Sequence, residues 1–358
     1  MKPMTILHVV GARPNFMKVA PVYNALALHE HFCQLMVHTG QHYDANMSDV
    51  FFRQLAIPAP DINLGIGSGS HSVQTARMMI ELEQVITDRK PDLVVVYGDV
   101  NSTVAAALVC AKLLVPVAHV EAGLRSGDRT MPEEINRLLT DQIADLLFTP
   151  SVDGNENLAR EGIAPHKVHL VGNVMIDTLL RLLPQTEGLP LPLASPFALV
   201  TLHRPSNVDR PEMLAAIVKT LQTISCDIPV LFSVHPRTRQ RLEALDIQID
   251  SAANLHLLGP VGYLEFLALQ RHATLVITDS GGIQEETTYL GIPCLTVREN
   301  TERPITVSVG TNQLVGQDMT CLLSAVESVL AGRAKKGTTP LLWDGKASER
   351  IANIITSL

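Results

Sequence analysis

The stretch LVITDSGGIQEETTYL, Leu275 to Leu290, decides how the chain is read. Its first four residues are apolar or β-branched, which suits a short buried strand. Ser280, Gly281 and Gly282 break the pattern, and IQEETTYL resumes it with helical spacing. A strand that enters a helix through two glycines can bring backbone N–H groups close to a ligand beyond the strand end. That suits a phosphate. The same residues also suit a tight turn in an ordinary α/β unit, with Glu285 and Glu286 in the first helical turn complementing the helix dipole. The remainder of the chain bears on the choice.

Working outward, short apolar runs alternate with longer helical patterns. ILHVV, QLMVH, LVVVY, VAHV and LLFT are strand candidates in the first half; FALVTL, PVLFSV, LHLLG, LVIT and CLTV follow in the second. This alternation predicts an α/β fold of parallel sheets with helices on both faces, with ligands beyond the carboxyl ends of the strands. The order of parts repeats. A strand leads through GARP to a helix over 15–28, and a later strand leads through LHRP to a helix starting near Pro211. VVVYGDVNSTVAAAL runs through a proline to VAHVE, as LVITDSGGIQEETTYL runs through a proline to CLTVRE. Two Rossmann-like domains facing one another are expected: residues 1–180, a Pro- and Leu-rich linker over 181–196, and 197–346, with a final helix over 347–358 joined to the first domain.

The 358 residues allow two ordinary domains, and the composition is that of a well-packed enzyme. A formal charge of −8 argues against general nucleic-acid binding, so an anionic ligand needs local Arg and Lys. The five cysteines are scattered without a CxxC pair and read as mostly buried free thiols of a reducing compartment. The N-terminal apolar run is too short for a signal peptide. Residues 104–120 read as a core helix and strand, not a membrane span, so a cytoplasmic location is expected.

Candidate chemistry falls at strand ends. GARPNFMK places Arg13 and Lys18 on a strand-to-helix loop, where a cation can hold a phosphate or orient a carboxylate. VVVYGDVNST ends an apolar strand with Asp99, which also suits a helix cap. HVEAGLR puts Glu121 at a strand end, and MPEEINR opens a helix with Pro132 followed by acids. TLHRPSN places His203 at the first strand-to-helix loop of the second domain, SVHPRTR places His235 at another strand end, and RENTERP supplies Arg298 and Arg303. GIGSGS has Ser70 where the fingerprint GxGxxG needs its third glycine and follows no clear strand, so it is no dinucleotide fingerprint. Each feature alone has an ordinary structural reading. Together, carboxylates, a His and several cations collect where a ligand would bind.

GARPNFMKVAP, GDVNST, HVEAGLRSGD, MPEEINR, VGNVMIDT, LHRPSN, ITDSGGIQEET and TERP occur in this order. They resemble the non-hydrolysing UDP-N-acetylglucosamine 2-epimerases over essentially the whole chain. The resemblance implies the GT-B fold, a homodimer, no cofactor and no metal. It implies interconversion of UDP-GlcNAc and UDP-ManNAc in surface-polysaccharide biosynthesis. It makes Asp99, Glu121, Glu133 and His203 the catalytic positions. Arg13, Lys18, Phe266, Ser280, Gly281, Gly282, Glu286 and Arg303 become substrate-binding positions, and Gln41, Arg77 and His235 positions for an allosteric nucleotide sugar. The chain departs from the family pattern at Asp44 and Val261, where Gln is frequent, and in reading HRPS for HRRE and MPEE for WPEE. Allosteric activation therefore stays open, as does a related UDP-acetamido sugar such as a uronic acid. A GT-B UDP-sugar glycosyltransferase is the alternative class; it predicts an acceptor groove and no epimerisation without acceptor.

Overall fold

The computed structural model describes residues 3–41, 49–245 and 254–358, so Asp44 lies outside the described residues. The chain divides into two compact units: Met1–Thr178 with Leu341–Leu358, and Leu179–Pro340.

The first unit is built on β1 (Met4–Val10), β2 (Phe32–His38), β3 (Ile62–Asn63), β4 (Leu93–Tyr97), β5 (Val117–Val120), β6 (Leu146–Thr149) and β7 (Val168–Leu170). They form one sheet in the order β3-β2-β1-β4-β5-β6-β7, and every pairing is parallel. The second unit carries β8 (Ala198–Thr201), β9 (Val230–Ser233), β10 (Leu255–Leu258), β11 (Leu275–Thr278), β12 (Cys294–Thr296) and β13 (Asn312–Leu314). Its order is β10-β9-β8-β11-β12-β13, again all parallel. The α/β fold class expected from the sequence is present: two Rossmann-like units, each a parallel sheet with helices on both faces.

The central strands are buried throughout because helices cover both faces. All five residues of β4 and all four of β11 are buried. Burying each such Val, Ile or Leu contributes about 1.5–3 kcal/mol. Strand order reverses between β1 and β4 in the first unit and between β8 and β11 in the second. Those reversals open a crevice at the carboxyl ends of the strands. The strand-to-helix loops that follow therefore hold Arg13, Asp99 and Glu121 in one unit, and His203 and Ser280–Gly282 in the other.

The strands missed in the sequence are β3, β7 and β13, of two or three residues each. They are too short to show an alternating pattern. The expectation of mostly buried cysteines is wrong: Cys33, Cys226 and Cys321 are exposed, and only Cys110 and Cys294 are buried. Cys226 and Cys321 sit on or beside the solvent faces of helices, where flanking apolar residues say little about burial. No helix among the described residues is long and apolar enough to cross a membrane.

The helix Ala347–Thr356 packs on the helix Arg13–Leu26, so the chain end belongs to the first unit. Asp177 caps it, accepting N–H bonds from Ala347 (3.1 Å) and Ser348 (2.7 Å). Trp343 anchors the approach: it is 2 % exposed and its Nε1 donates to Pro150 O at 2.9 Å. Trp343→Ala is expected to destabilise the first unit by about 3–5 kcal/mol in denaturant unfolding; a loss below about 1 kcal/mol would show that the anchor is not needed.

Candidate active site

In the first unit the site grows from Asn15. Its Oδ1 accepts the N–H groups of Gly11 and Ala12, both at 3.0 Å, and its Nδ2 donates to Tyr97 O at 3.0 Å. The ends of β1 and β4 are thereby tied together. One turn further on, Lys18 is only 7 % exposed and its Nζ is ion-paired with Glu121. Glu121 holds a left-handed backbone, φ 75°. A non-glycine residue there costs on the order of 1–3 kcal/mol, which the surrounding structure must supply. Gly98, φ 64°, lies against the pair: a Cβ there would stand 2.7 Å from Lys18 Nζ and 3.2 Å from Glu121 Oε2. Only glycine fits.

Asp99 is not a helix cap. The cap position of the helix Asn101–Leu113 is Val100, and the Asp99 carboxylate instead pairs with Arg137 Nη1. Arg137 is 2 % exposed and also donates through Nη2 (2.8 Å) and Nε (3.1 Å) to Glu134 Oε2. Glu134 accepts further N–H bonds from Ser126 (3.0 Å) and Gly127 (2.9 Å). Burial pushes the Glu134 carboxyl up, but Ser126 and Arg137 outweigh it and hold Glu134 below the usual carboxylate range. Asn136 donates to Asp99 O at 2.9 Å and fixes its backbone. Glu133 is half-buried, and its side chain has no hydrogen bond or ion pair among the described residues. Three carboxylates thus differ: Glu121 is neutralised by Lys18, Asp99 by Arg137, and Glu133 by no described side chain. Arg13, half-buried, is the first residue of the helix Arg13–Leu26.

In the second unit the organiser is Asp279, fully buried at the end of β11. It accepts from His203 N (3.1 Å), Arg204 N (2.9 Å) and Asn207 Nδ2 (2.9 Å), and His203 Nδ1 stands 3.1 Å from its Oδ1. Burial raises the Asp279 carboxyl, but the hydrogen bond and charge of His203, with Arg204 and Asn207, hold it low. His203 is therefore oriented through Nδ1, while its side chain remains 49 % exposed. Next comes the turn. Ser280 is the cap residue of the helix Gly281–Leu290, but its side chain makes no cap hydrogen bond. The leading N–H groups of that helix keep their capacity to bind an anion. The two glycines differ. A Cβ at Gly281 would lie 2.5 Å from Arg303 Nη1, whereas at Gly282 it would meet no protein atom within 4 Å. Gly281 is a packing glycine, and Gly282 leaves the backbone open to approach.

The dipole reading of Glu285 and Glu286 is wrong. The helix begins at Gly281, so both lie beyond its first turn. Glu285 pairs with Arg303 Nε at 2.8 Å, and Glu286 accepts from Tyr263 Oη at 2.7 Å. Glu302 gathers cations behind the turn: Arg303 and Arg298 at 2.7 Å and Arg204 at 3.5 Å. Burial pushes the Glu302 carboxyl up, but Arg303, Arg298 and Arg204 hold it far below the ordinary range. Phe266, half-buried in the helix Tyr263–His272, packs on the core beside β11.

Of the three expected allosteric positions, Gln41 and Arg77 belong to the first unit and His235 to the second. Gln41 is buried, accepting from Ser102 N (3.1 Å) and Ser102 Oγ (2.8 Å). Arg77 is exposed on the helix His71–Arg89, and His235 is exposed in the other unit. Sequence reasoning missed Asn15, Glu134, Arg137, Tyr263 and Asp279 as organisers. Glu134 and Arg137 stand three apart in MPEEINR, a spacing at which opposite charges meet on a helix. Asp279 stood inside the stretch that decided the fold. Tyr263 carried no local signal.

Two parallel α/β units, one with an uncapped glycine turn at a helix start and the other with ion-paired carboxylates at strand ends, have the architecture of the GT-B-like epimerases. A family model described as UDP-N-acetylglucosamine 2-epimerase matches residues 24–356. The UDP-N-acetylglucosamine 2-epimerase of Methanocaldococcus jannaschii is 44 % identical over 365 residues, covering 99 % of this chain and 99 % of that protein. The UDP-2,3-diacetamido-2,3-dideoxy-D-glucuronate 2-epimerase of Pseudomonas aeruginosa is 44 % identical over 360 residues, covering 99 % of this chain and 100 % of that protein. The crystal structure of the M. jannaschii UDP-GlcNAc 2-epimerase with UDP-GlcNAc and UDP superposes with TM-score 0.91 and 44 % identity, covering 99 % of this chain and 100 % of that one. The chain belongs to the UDP-N-acetylglucosamine 2-epimerase family, a family of non-hydrolysing epimerases.

Glu286 generates a pH prediction. Burial is the main cause that pushes its carboxyl up to about 7, aided by the charge of Glu285 and opposed by the Tyr263 hydrogen bond. A carboxyl raised in this way binds its proton more tightly in the folded state. The stability from that preference is full below the ordinary Glu range and is lost as pH rises through about 7. Glu286→Gln removes the titration. Its unfolding free energy relative to the unaltered protein should rise by about 2–3 kcal/mol between about pH 4.5 and pH 8. Parallel pH profiles for the two proteins would contradict the assignment.

Proposed function

We propose that this protein interconverts UDP-N-acetylglucosamine and UDP-N-acetylmannosamine by elimination and re-addition of UDP. The observation that carries the reading is the set of three carboxylates in different electrostatic settings: Glu121 on Lys18, Asp99 on Arg137, and Glu133 without a described partner. Inverting carbon 2 of the sugar needs a base on one face and an acid on the other. The hydrogen on carbon 2 is too weakly acidic for direct removal. Departure of UDP from carbon 1, taking the electron pair of the C1–O bond, leaves cationic character that acidifies it. Loss of the carbon 2 proton to a carboxylate then forms the C1–C2 double bond of 2-acetamidoglucal. Return of UDP to carbon 1, with a proton delivered to the opposite face of carbon 2, completes the epimer.

The second unit supplies the leaving-group binding in this reading. Developing negative charge on the diphosphate is stabilised by the N–H groups that begin at Gly281–Gly282 and by His203, held through Asp279. Glu286 accepts from the ribose hydroxyls, and Phe266 lies beside the base. Arg303 acts from behind the turn, against Gly281. Lys18 and Arg137 give their carboxylates charge-assisted partners whose bonds can readjust as protons move. A second substrate is favoured by a specific finding: the P. aeruginosa relative named for a UDP-diacetamido-glucuronate is as similar as the M. jannaschii one. Both substrates obey the same chemistry at carbons 1 and 2.

Incubation with UDP-GlcNAc in heavy water, without added cofactor, is expected to give UDP-ManNAc carrying deuterium at carbon 2. Asp99→Asn and His203→Ala should each lower kcat by about 100-fold or more while the protein stays folded. Turnover of only the diacetamido-uronate would select the second substrate. Turnover of neither, with transfer to an added acceptor, would replace the reading with a glycosyltransferase.

A further inference from the structure

Beneath the Lys18–Glu121 pair lies a second set of charges that the proposed chemistry does not use. His119 on β5 and Asp141 on the helix Pro132–Ile143 are both 0 % exposed. His119 Nδ1 stands 2.6 Å from Asp141 Oδ1, and His119 Nε2 stands 2.8 Å from Gly98 O. Asp141 Oδ2 accepts the Gly123 N–H at 3.0 Å and pairs with Arg125 Nη1 at 2.7 Å. Arg125 in turn makes two bonds to Glu161, at 2.8 and 2.6 Å.

The directions of these bonds matter. Gly98 O can only accept, so Nε2 carries a hydrogen. Asp141 has Gly123 N–H and Arg125 on its other oxygen, both donors, which keeps it an acceptor towards Nδ1. The ring is thereby held at both nitrogens, and the second oxygen of Asp141 is engaged by two further donors, Arg125 among them. Such a cluster is costly to bury and is held only where its geometry is complete.

Its two outlets bracket the site. Through His119 it holds the carbonyl of Gly98, the residue where a Cβ would run into Lys18 Nζ and Glu121 Oε2. Through Asp141 it holds the N–H of Gly123, two residues beyond Glu121 and itself at φ 81° with no room for a Cβ beside Gly154 O. Glu121 sits between the two anchors in its left-handed conformation. We propose that Asp141 is a positioning residue for proton transfer, fixing through His119 and Gly123 the two backbone segments that present Glu121 to its reaction.

This role rests on the proposed epimerisation, so two kinds of readout are needed. Asp141→Leu keeps roughly the volume but removes both carboxylate oxygens, leaving the Gly123 N–H, Arg125 and His119 Nδ1 without their shared partner. It should lower kcat by about 10–100-fold, the scale of a misplaced catalytic group. The KM for the UDP-sugar and the Kd for UDP should stay within about twofold, because ligand binding is assigned elsewhere. The Gly123 amide should exchange with solvent faster than in the unaltered protein. His119→Gln is the second variant should Asp141→Leu fail to fold, with the same split expected between kcat and KM. A folded variant of either kind with kcat within about twofold of the unaltered protein overturns the proposal. If the unaltered protein epimerises no UDP-sugar, the proposed function fails separately. Unchanged Gly123 exchange in Asp141→Leu then overturns the positioning role on its own.

Discussion

Ionised groups at the carboxyl ends of buried parallel strands are the constraint on which the structure depends. Where such a charge is drawn in among the buried strand ends, as at Glu121 and Asp279, it costs several kcal/mol unless paired. Asp99, Glu121 and Asp279 all sit at such ends, and each is answered by a cation or by several hydrogen bonds. The answering groups come from elements distant in sequence: Lys18 for Glu121, Arg137 for Asp99, His203 and Asn207 for Asp279. Each site pair is therefore also a tether between elements.

These pairs are poor sources of net stability. Replacing a buried ion pair by apolar residues is often neutral or stabilising, whereas removing one partner is strongly destabilising. Their presence is better explained by what they position. Glu121 shows this most clearly, since its backbone is strained as well as its charge buried. Strain of that kind persists only where surrounding contacts over-determine it. The Gly98 approach, the Phe148 carbonyl that accepts from the Glu121 and Ala122 N–H groups, and the Gly123 anchor provide that determination.

Much of the fold was legible because parallel strands buried on both faces read as continuous apolar runs. LVVVY and LVIT correspond to β4 and β11 residue for residue, and VAHV and LLFT to β5 and β6. Two- and three-residue strands at sheet edges carry no such signal. The site was legible as a set of positions but not as a set of partners. Strand-end location picked out Asp99, Glu121, His203 and the glycine turn; nothing in the spacing tied Lys18 to Glu121, 103 residues away. Capping and dipole rules gave the wrong reasons for Asp99, Glu285 and Glu286, because tertiary partners decided where those side chains went. The cysteines failed similarly: apolar neighbours in sequence did not bury Cys33 or Cys226.

The central claim is that the opened backbone of Gly282, at the head of the helix Gly281–Leu290, binds the diphosphate whose departure starts the reaction. A crystal structure of this protein with UDP tests it most directly. The account predicts diphosphate oxygens within hydrogen-bond distance of the N–H groups at Gly281 and Gly282, with the ribose against Glu286. Diphosphate bound anywhere else, with that turn unengaged, would contradict it.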